Sequence, residues 1–340
     1  MLELRNRTPF PAAIVPGLDR DGRETVTVVV KGTFDLGRRG GEPPISERQV
    51  PIAHADAHAG EPGASSIKYE ADSCPAKRGT DVVLVGQAYS PRPVAAVDVR
   101  LAAGPLERSV RVIGDRVWFR ALGVWKISEP ATFSRLPLVY ERAFGGADTT
   151  DPDPAKHGWE RRNPIGTGLA LSESDRRLDG LRLPNLEDPA RLIAAPLDRP
   201  PPVGFGFIGR DWMPRVAHAG TYDERWQRDR CPFLPEDFDE RFFHAAHPDL
   251  TASRKLRGGE PVLVENAAEG GDVRFEVPRV PLDVAISIRG AVAQHRAGLD
   301  TLLIEPDERR AVLTWRVTAP CARRFLYIDY VKVTRPKGVA

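Results

Sequence analysis

The 340-residue chain is 41% hydrophobic and 28% charged, with 49 Lys and Arg against 47 Asp and Glu and a net charge of +2. This is ordinary globular composition, and the two signs are mixed along the chain, which argues against the basic stripe that nucleic-acid binding needs. Cys74, Cys231 and Cys321 are far apart and odd in number, so they suggest neither a disulfide framework nor a zinc site and suit a reducing cytoplasm.

The opening "MLELRNRTPFPAAIVPGLDR" lacks the order of a signal peptide, and no run approaches the roughly 20 apolar residues of a membrane span. Next, "TVTVVVKGTFDL" (25–36) sets Val26, Val28, Val30, Phe34 and Leu36 on one parity. Thr25, Thr27, Lys31, Thr33 and Asp35 fall on the other, which predicts a half-buried strand. "TDVVLVGQAY" (80–89) is more uniformly apolar and predicts a strand covered on both faces. The segment "AAVDVRLAAGPLERSVRVIGDRVWFRAL" reads as a three-strand meander. Its second turn, Gly114-Asp115, is expected to form a type II′ hairpin that sets Val112 and Ile113 against Val117 and Trp118.

From about 126 to 260 periodicity fails, and Pro, Gly, Asn and Asp interrupt the chain every few residues. Short helices are expected at "EDPARLIAA", with Asp188 as cap and Pro189 at the first helical position. Another two turns are expected in "PEDFDERFFHAAHPD", with Phe238, Phe242 and Phe243 pointing inward. Aromatic anchors throughout this region predict an irregular but ordered segment. Strands return at 272–278, 283–290 and 300–317, the last as a hairpin through Pro306 to Arg309. The expected fold is mainly β, with antiparallel sheets in a sandwich- or barrel-like arrangement, a long irregular middle and a few short helices. One large domain over 1–340 is expected, with two lobes as a variant. Its parts are an N-terminal β region (1–125), an irregular aromatic, Gly- and Pro-rich region (126–260) and C-terminal strands (261–340). The missing βαβ alternation argues against Rossmann and TIM-barrel folds.

Candidate chemistry is sparse. "HADAH" places His54 and His58 around Asp56, but its setting reads as a loop. His244, His247 and Asp249 form the best metal candidate, yet HxxH lacks the glutamate of the HExxH zincins. Asp148, Asp151 and Asp153 suggest a calcium loop without the closing glutamate of an EF-hand. No GxSxG elbow is present, and "GFGFIG" and "NPIGTG" lack the context of a phosphate loop. Buried ion pairs are a sharper expectation: Lys77 with Asp81, and Glu141, Arg142, Arg161 and Arg162 locking irregular backbone.

A series of stretches, in order, carries a resemblance. These are "NRTPF" (6–10), "VVVKGTFDL" (28–36), "PAKRGTDVVLVGQAYSP" (75–91), "VIGDRVW" (112–118), "PLVYERAFGG" (137–146) and "RRNPIGTG" (161–168). They continue with "LPNLEDP" (183–189), "PPVGFGFI" (201–208), "AGTYDERW" (219–226), "PFLPEDFDERFFHAAHPD" (232–249), "LRGGEPVLVEN" (256–266) and "LDTLLIEPDERRAVLTWR" (299–316). Together they resemble the bacterial domain of unknown function 2169 family, whose members occur beside type VI secretion genes. The resemblance implies a cytoplasmic, non-enzymatic adaptor or chaperone. Such a protein binds a secreted effector or its PAAR-containing region and helps load it onto the VgrG spike. It carries over no catalytic residue, and no cofactor or metal is expected; the mixed charge and the lack of a long apolar run give no expectation of a nucleic-acid or membrane partner.

Trp, Tyr and Arg are favoured interface anchors, which singles out Trp159, Arg161, Arg162, Trp212, Tyr222 and Trp226 as candidate partner-binding residues. The bland alternative for each is core packing or loop anchoring. The rival function is a metal-dependent or other hydrolase with an unrecognised site, and a sugar-binding β module has no motif support.

Overall fold

The valine-rich run over Glu24–Asp35 forms the longest strand in the computed structural model, which describes residues 3–37, 40–321 and 325–336. It lies at the interior of a five-stranded sheet ordered Ala12–Leu18, Glu24–Asp35, Arg310–Pro320, Gly298–Glu305, Asp81–Leu84. All neighbours are antiparallel except the last pair, which runs parallel. Thr25 faces Pro320 and Asp35 faces Arg310, so the beginning and end of the chain share one ladder.

This strand is buried on both faces rather than one: Thr25, Thr27, Lys31 and Thr33 are all buried. The physical reason is a polar cover. Lys31 donates to Asp72 at 2.8 Å, Thr27 bonds Thr318 at 2.8 Å, and the Val50 amide donates to the Thr33 hydroxyl at 2.9 Å. Burying polar groups is tolerable because each finds a partner. The other face is apolar, with Phe10, Phe34 and Trp315 in mutual ring contact at 5.8–6.4 Å.

A second five-stranded sheet, antiparallel throughout, runs Leu186–Glu187, Leu106–Ile113, Ala96–Ala103, Pro261–Glu265, Val273–Glu276. A four-stranded sheet orders Glu3–Asn6, Ile328–Thr334, Asp283–Ile288, Ala291–Arg296. One continuous core draws on all three, including Val28, Val30, Val99, Leu101, Val264, Leu302, Val284 and Val331. A smaller cluster gathers Trp118, Phe144, Leu169, Leu178, Leu183 and Ile193. The architecture is thus mainly β with several antiparallel sheets and short helices, and it contains no closed barrel among the described residues.

Three expected elements differ. Gly114-Asp115 does not reverse the chain: Val112 and Ile113 face Val97 and Ala96, and Leu186 takes Val112 on the other side. Trp118–Ala121 pairs instead with Val124–Ile127 through Leu122-Gly123, whose φ values of 52° and 83° suit the twist of a two-residue hairpin. Gly114 serves a close approach, since a Cβ there would lie 1.7 Å from the Ala131 carbonyl oxygen. At 188–196 there is a turn, not a helix. Asp188 caps the Ala190 amide at 2.9 Å, but the Ile193 amide leaves the turn for the Glu187 carboxylate at 2.8 Å. In the 235–249 stretch the expected helix reduces to 3₁₀ turns at Glu240–Phe243 and Pro248–Leu250. The C-terminal hairpin is as expected, with Glu305 opposite Arg310.

Candidate interaction surface

Ionisable groups fall into two populations, one sealed inside and one displayed. The sealed group centres on Lys77 and Asp81, whose Nζ and Oδ2 atoms meet at 2.6 Å with side chains 1% and 0% exposed. Asp81 also accepts from the Ala245 amide at 2.8 Å and contacts His244 Nδ1 at 2.7 Å and the Thr251 hydroxyl at 3.3 Å. Burial would raise its carboxyl pKa, but Lys77 and His244 outweigh burial and hold it well below the usual carboxylate range. Nearby, Glu70 pairs with Arg215 at 2.8 Å and Arg210 at 3.4 Å. Asp300 receives the Lys77 amide at 2.9 Å and contacts both Arg316 and Lys255. These carboxylates join segments far apart in the chain, and their lone pairs are spent on that task.

The metal candidates disperse into this scaffold. His244 turns to Asp81, His247 Nδ1 accepts the Asp249 amide at 3.2 Å, and the Asp249 carboxylate binds Arg108. Asp148 is buried, accepts from Thr150 and the Leu171 amide, and forms an ion pair with Arg177 at 3.2 Å. Asp151 and Asp153 shape their own turn, accepting the Asp153 and Ala155 amides. Asp56 binds Arg210 and the Ala71 amide, while His58 bonds the Ser65 carbonyl. Among the described residues no group of three His, Cys, Asp or Glu could hold a metal ion.

The "YERAFGG" turn is pinned as expected. Glu141 accepts from both the Ser66 amide and its hydroxyl at 2.8 Å, and Arg142 donates to Asn185 at 2.8 Å. Gly145 and Gly146, at φ 150° and 87°, press against Asn163 and Gly166. Fully buried Asn163 donates to the Tyr140 and Phe144 carbonyls at 2.7 and 3.0 Å.

Of the six candidate anchors, Trp212 is a correction. It is 5% exposed and stacks edge-on to buried Tyr140 at 5.7 Å, with Gly209 leaving room for its indole, so it is core. Trp159 is 65% exposed, on a short ladder opposite Ala147. Arg161 is exposed, while its carbonyl accepts the Met213 amide at 3.0 Å. Arg162 forks onto Glu160 at 2.7 and 2.6 Å, the bidentate geometry that fixes a loop. Tyr222, 53% exposed, meets Trp226 at 4.7 Å. Trp226 belongs to the short helix Glu224–Asp229, which Asp223 caps at 2.8 Å, and its indole N–H donates to the Phe233 carbonyl at 2.8 Å. Trp159, Arg161 and Arg162 therefore form one stretch, with Tyr222 and Trp226 on another.

Beside Trp226, a depression of about 460 Å³ shares Glu236 and Asp237 with a groove of about 590 Å³. That groove runs to the turn after Ala12–Leu18, and its Leu18, Asp19 and Asp21 carried no signal recognisable from sequence. The clue available was the acid-rich "PEDFDE" (235–240), which reads as helix start until the acids are seen to face outward.

A family model described as an uncharacterized protein conserved in bacteria (DUF2169) matches residues 21–316. No curated protein and no solved structure matches the chain.

Proposed function

The chain belongs to this bacterial family, and from that premise we propose that it is a non-enzymatic type VI secretion accessory protein. In this reading it works in the cytoplasm as an adaptor that binds an effector, or the effector's PAAR-containing region, and helps load it onto the VgrG spike. The observation that carries the reading is the contrast between its two populations of polar and aromatic groups. The interior charges are committed to holding distant segments together, while Trp159 and Tyr222 stand more than half exposed on short segments tied down by hydrogen bonds. Large aromatics that cost little to immobilise are the usual anchors of protein–protein contacts. No helix among the described residues is long and apolar enough to cross a membrane.

The test is co-purification of the tagged chain with the effector encoded beside it, together with secretion assays on a deletion strain. The adaptor reading expects a stable complex and loss of that effector alone from the medium while the apparatus still fires. Arrest of every substrate would favour a structural part of the apparatus instead. Stoichiometric metal, lost on His244→Ala and His247→Ala, would favour the hydrolase.

A further inference from the structure

We propose that the groove between the turn after Ala12–Leu18 and the 234–243 segment receives a cationic, apolar-flanked segment of a partner protein. The groove encloses about 590 Å³ and is floored by Leu18, Leu234, Phe238 and Phe243. Leu18 is 52% exposed although it ends a strand of the main sheet. A groove of this size is in the range that accepts a few side chains of a ligand.

The rim fixes the occupant's charge. Asp19, Asp21, Glu236, Asp237, Asp239 and Glu240 line it, against Arg20 and Arg78. Asp239 and Glu240 are neutralised by Arg241 and Arg78 at 2.6 and 2.8 Å. Among the described residues Asp21 and Glu236 have only loose, exposed partners, Arg23 at 3.7 Å and Arg225 at 3.6 Å, which neutralise little in water. Asp19 and Asp237 hold their carboxylates with neutral donors. Asp19 accepts the Asp21 and Arg23 amides, and Asp237 accepts the Thr221 amide and hydroxyl. Among the described residues their charge is therefore positioned but paired with no cation, and hydrogen bonds from Thr221 keep the Asp237 carboxyl below its usual pKa. A Lys or Arg complements this rim, and a neighbouring apolar side chain covers Leu18 and Phe243. Electrostatic complementarity of this kind sets specificity and encounter rate. The groove adjoins Trp226 through Glu236 and Asp237, so a longer segment continues onto the aromatic surface. Identifying that partner as the effector rests on the adaptor reading; the chemistry of the groove does not.

The test uses the intact protein and a labelled 12-residue peptide of alternating Lys and Leu, with a Lys–Ser peptide of equal charge, read by fluorescence anisotropy. The double variant Asp21→Lys/Glu236→Lys, at two exposed positions, is expected to weaken the Lys–Leu peptide by roughly tenfold. Leu18→Ser is expected to weaken it several-fold and leave the Lys–Ser peptide unchanged. Glu129→Lys, on another exposed stretch, is the control and is expected to change neither. Equal loss in the control, or no loss in the double variant, overturns the proposal, as would a change of oligomeric state in the variants with no change in peptide affinity. Effector capture separates the two readings. If the effector binds wild type and the double variant alike, the adaptor stands and the groove is not its partner site. If no effector binds yet the peptide shows both dependences, the groove stands and the adaptor reading fails.

Discussion

Lys77 Nζ and Asp81 Oδ2 lie 2.6 Å apart with water excluded from both. Asp81 opens the parallel edge strand Asp81–Leu84, opposite Thr301, and holds the Ala245 amide from the irregular middle region. One carboxylate therefore joins the main sheet to the segment that carries Phe242 and His244. A sealed ion pair is not intrinsically a strong stabiliser, because desolvation offsets attraction. Its loss is costly because the surviving charge has nowhere to go.

Asp81→Asn is accordingly expected to destabilise the fold by about 3–5 kcal/mol in urea denaturation. Lys77→Met should be comparable, and the double variant should lose less than the sum by at least about 1 kcal/mol. Strict additivity would show that the pair is not coupled. Asp81 has a depressed folded pKa, so its contribution is present above the unfolded carboxylate value near pH 4 and fades as the pH falls below it.

Gly146 adopts φ 87°, and a Cβ there would lie 2.3 Å from the Gly166 carbonyl oxygen. Gly146→Ala meets both a left-handed backbone and a backbone wall, so it should cost more than about 1 kcal/mol. A midpoint in urea equal to wild type would contradict this account of the turn.

His247 is pushed down to about 4, chiefly by burial and then by the Arg108 guanidinium. Between the unfolded value near pH 6.5 and about 4, the unfolded chain takes up a proton that the folded chain refuses. Stability therefore falls on acidification through that window, by at most about 3 kcal/mol from this group. His247→Asn retains an acceptor for the Asp249 amide and should flatten the difference. Parallel stability–pH curves for the variant and wild type would refute the assignment.

Tyr140 is buried, its hydroxyl makes no hydrogen bond among the described residues, and burial raises its pKa to about 12. Removing an unpaired buried hydroxyl relieves a desolvation cost. Tyr140→Phe should thus leave the Tm unchanged or raise it by a degree or more, whereas a clear drop would mean that the hydroxyl has a partner.

Legibility in the sequence followed the range of the interaction. The 300–317 hairpin could be read because alternation and the Pro306–Arg309 turn sit in one short stretch, and Glu305 does face Arg310. Lys77 and Asp81 could be read because four residues separate them. Their neighbours Glu70, Asp300 and Arg316 could not, since the cluster exists only when three distant segments meet. The same limit misassigned the polar parity of Glu24–Asp35, whose cover of Asp72, Gln49 and Val50 follows no period. Trp212 misled because an aromatic in a Gly-rich run carries no mark of burial; the space that Gly209 leaves for it is visible only in three dimensions. The groove joins Leu18 to Phe243 across more than half the chain, and its acids lie in two separate stretches.

The ladder between Glu24–Asp35 and Arg310–Pro320 also bears on synthesis. A ribosome emits the valine-rich strand long before its principal neighbour. Until that neighbour arrives, eleven residues of strand edge and a highly apolar face have no native cover, and closing the intervening loop is slow. Nascent chains of this protein should therefore depend on general folding factors until that neighbour emerges. Truncation within the last strand of the ladder should yield aggregates rather than a smaller folded fragment.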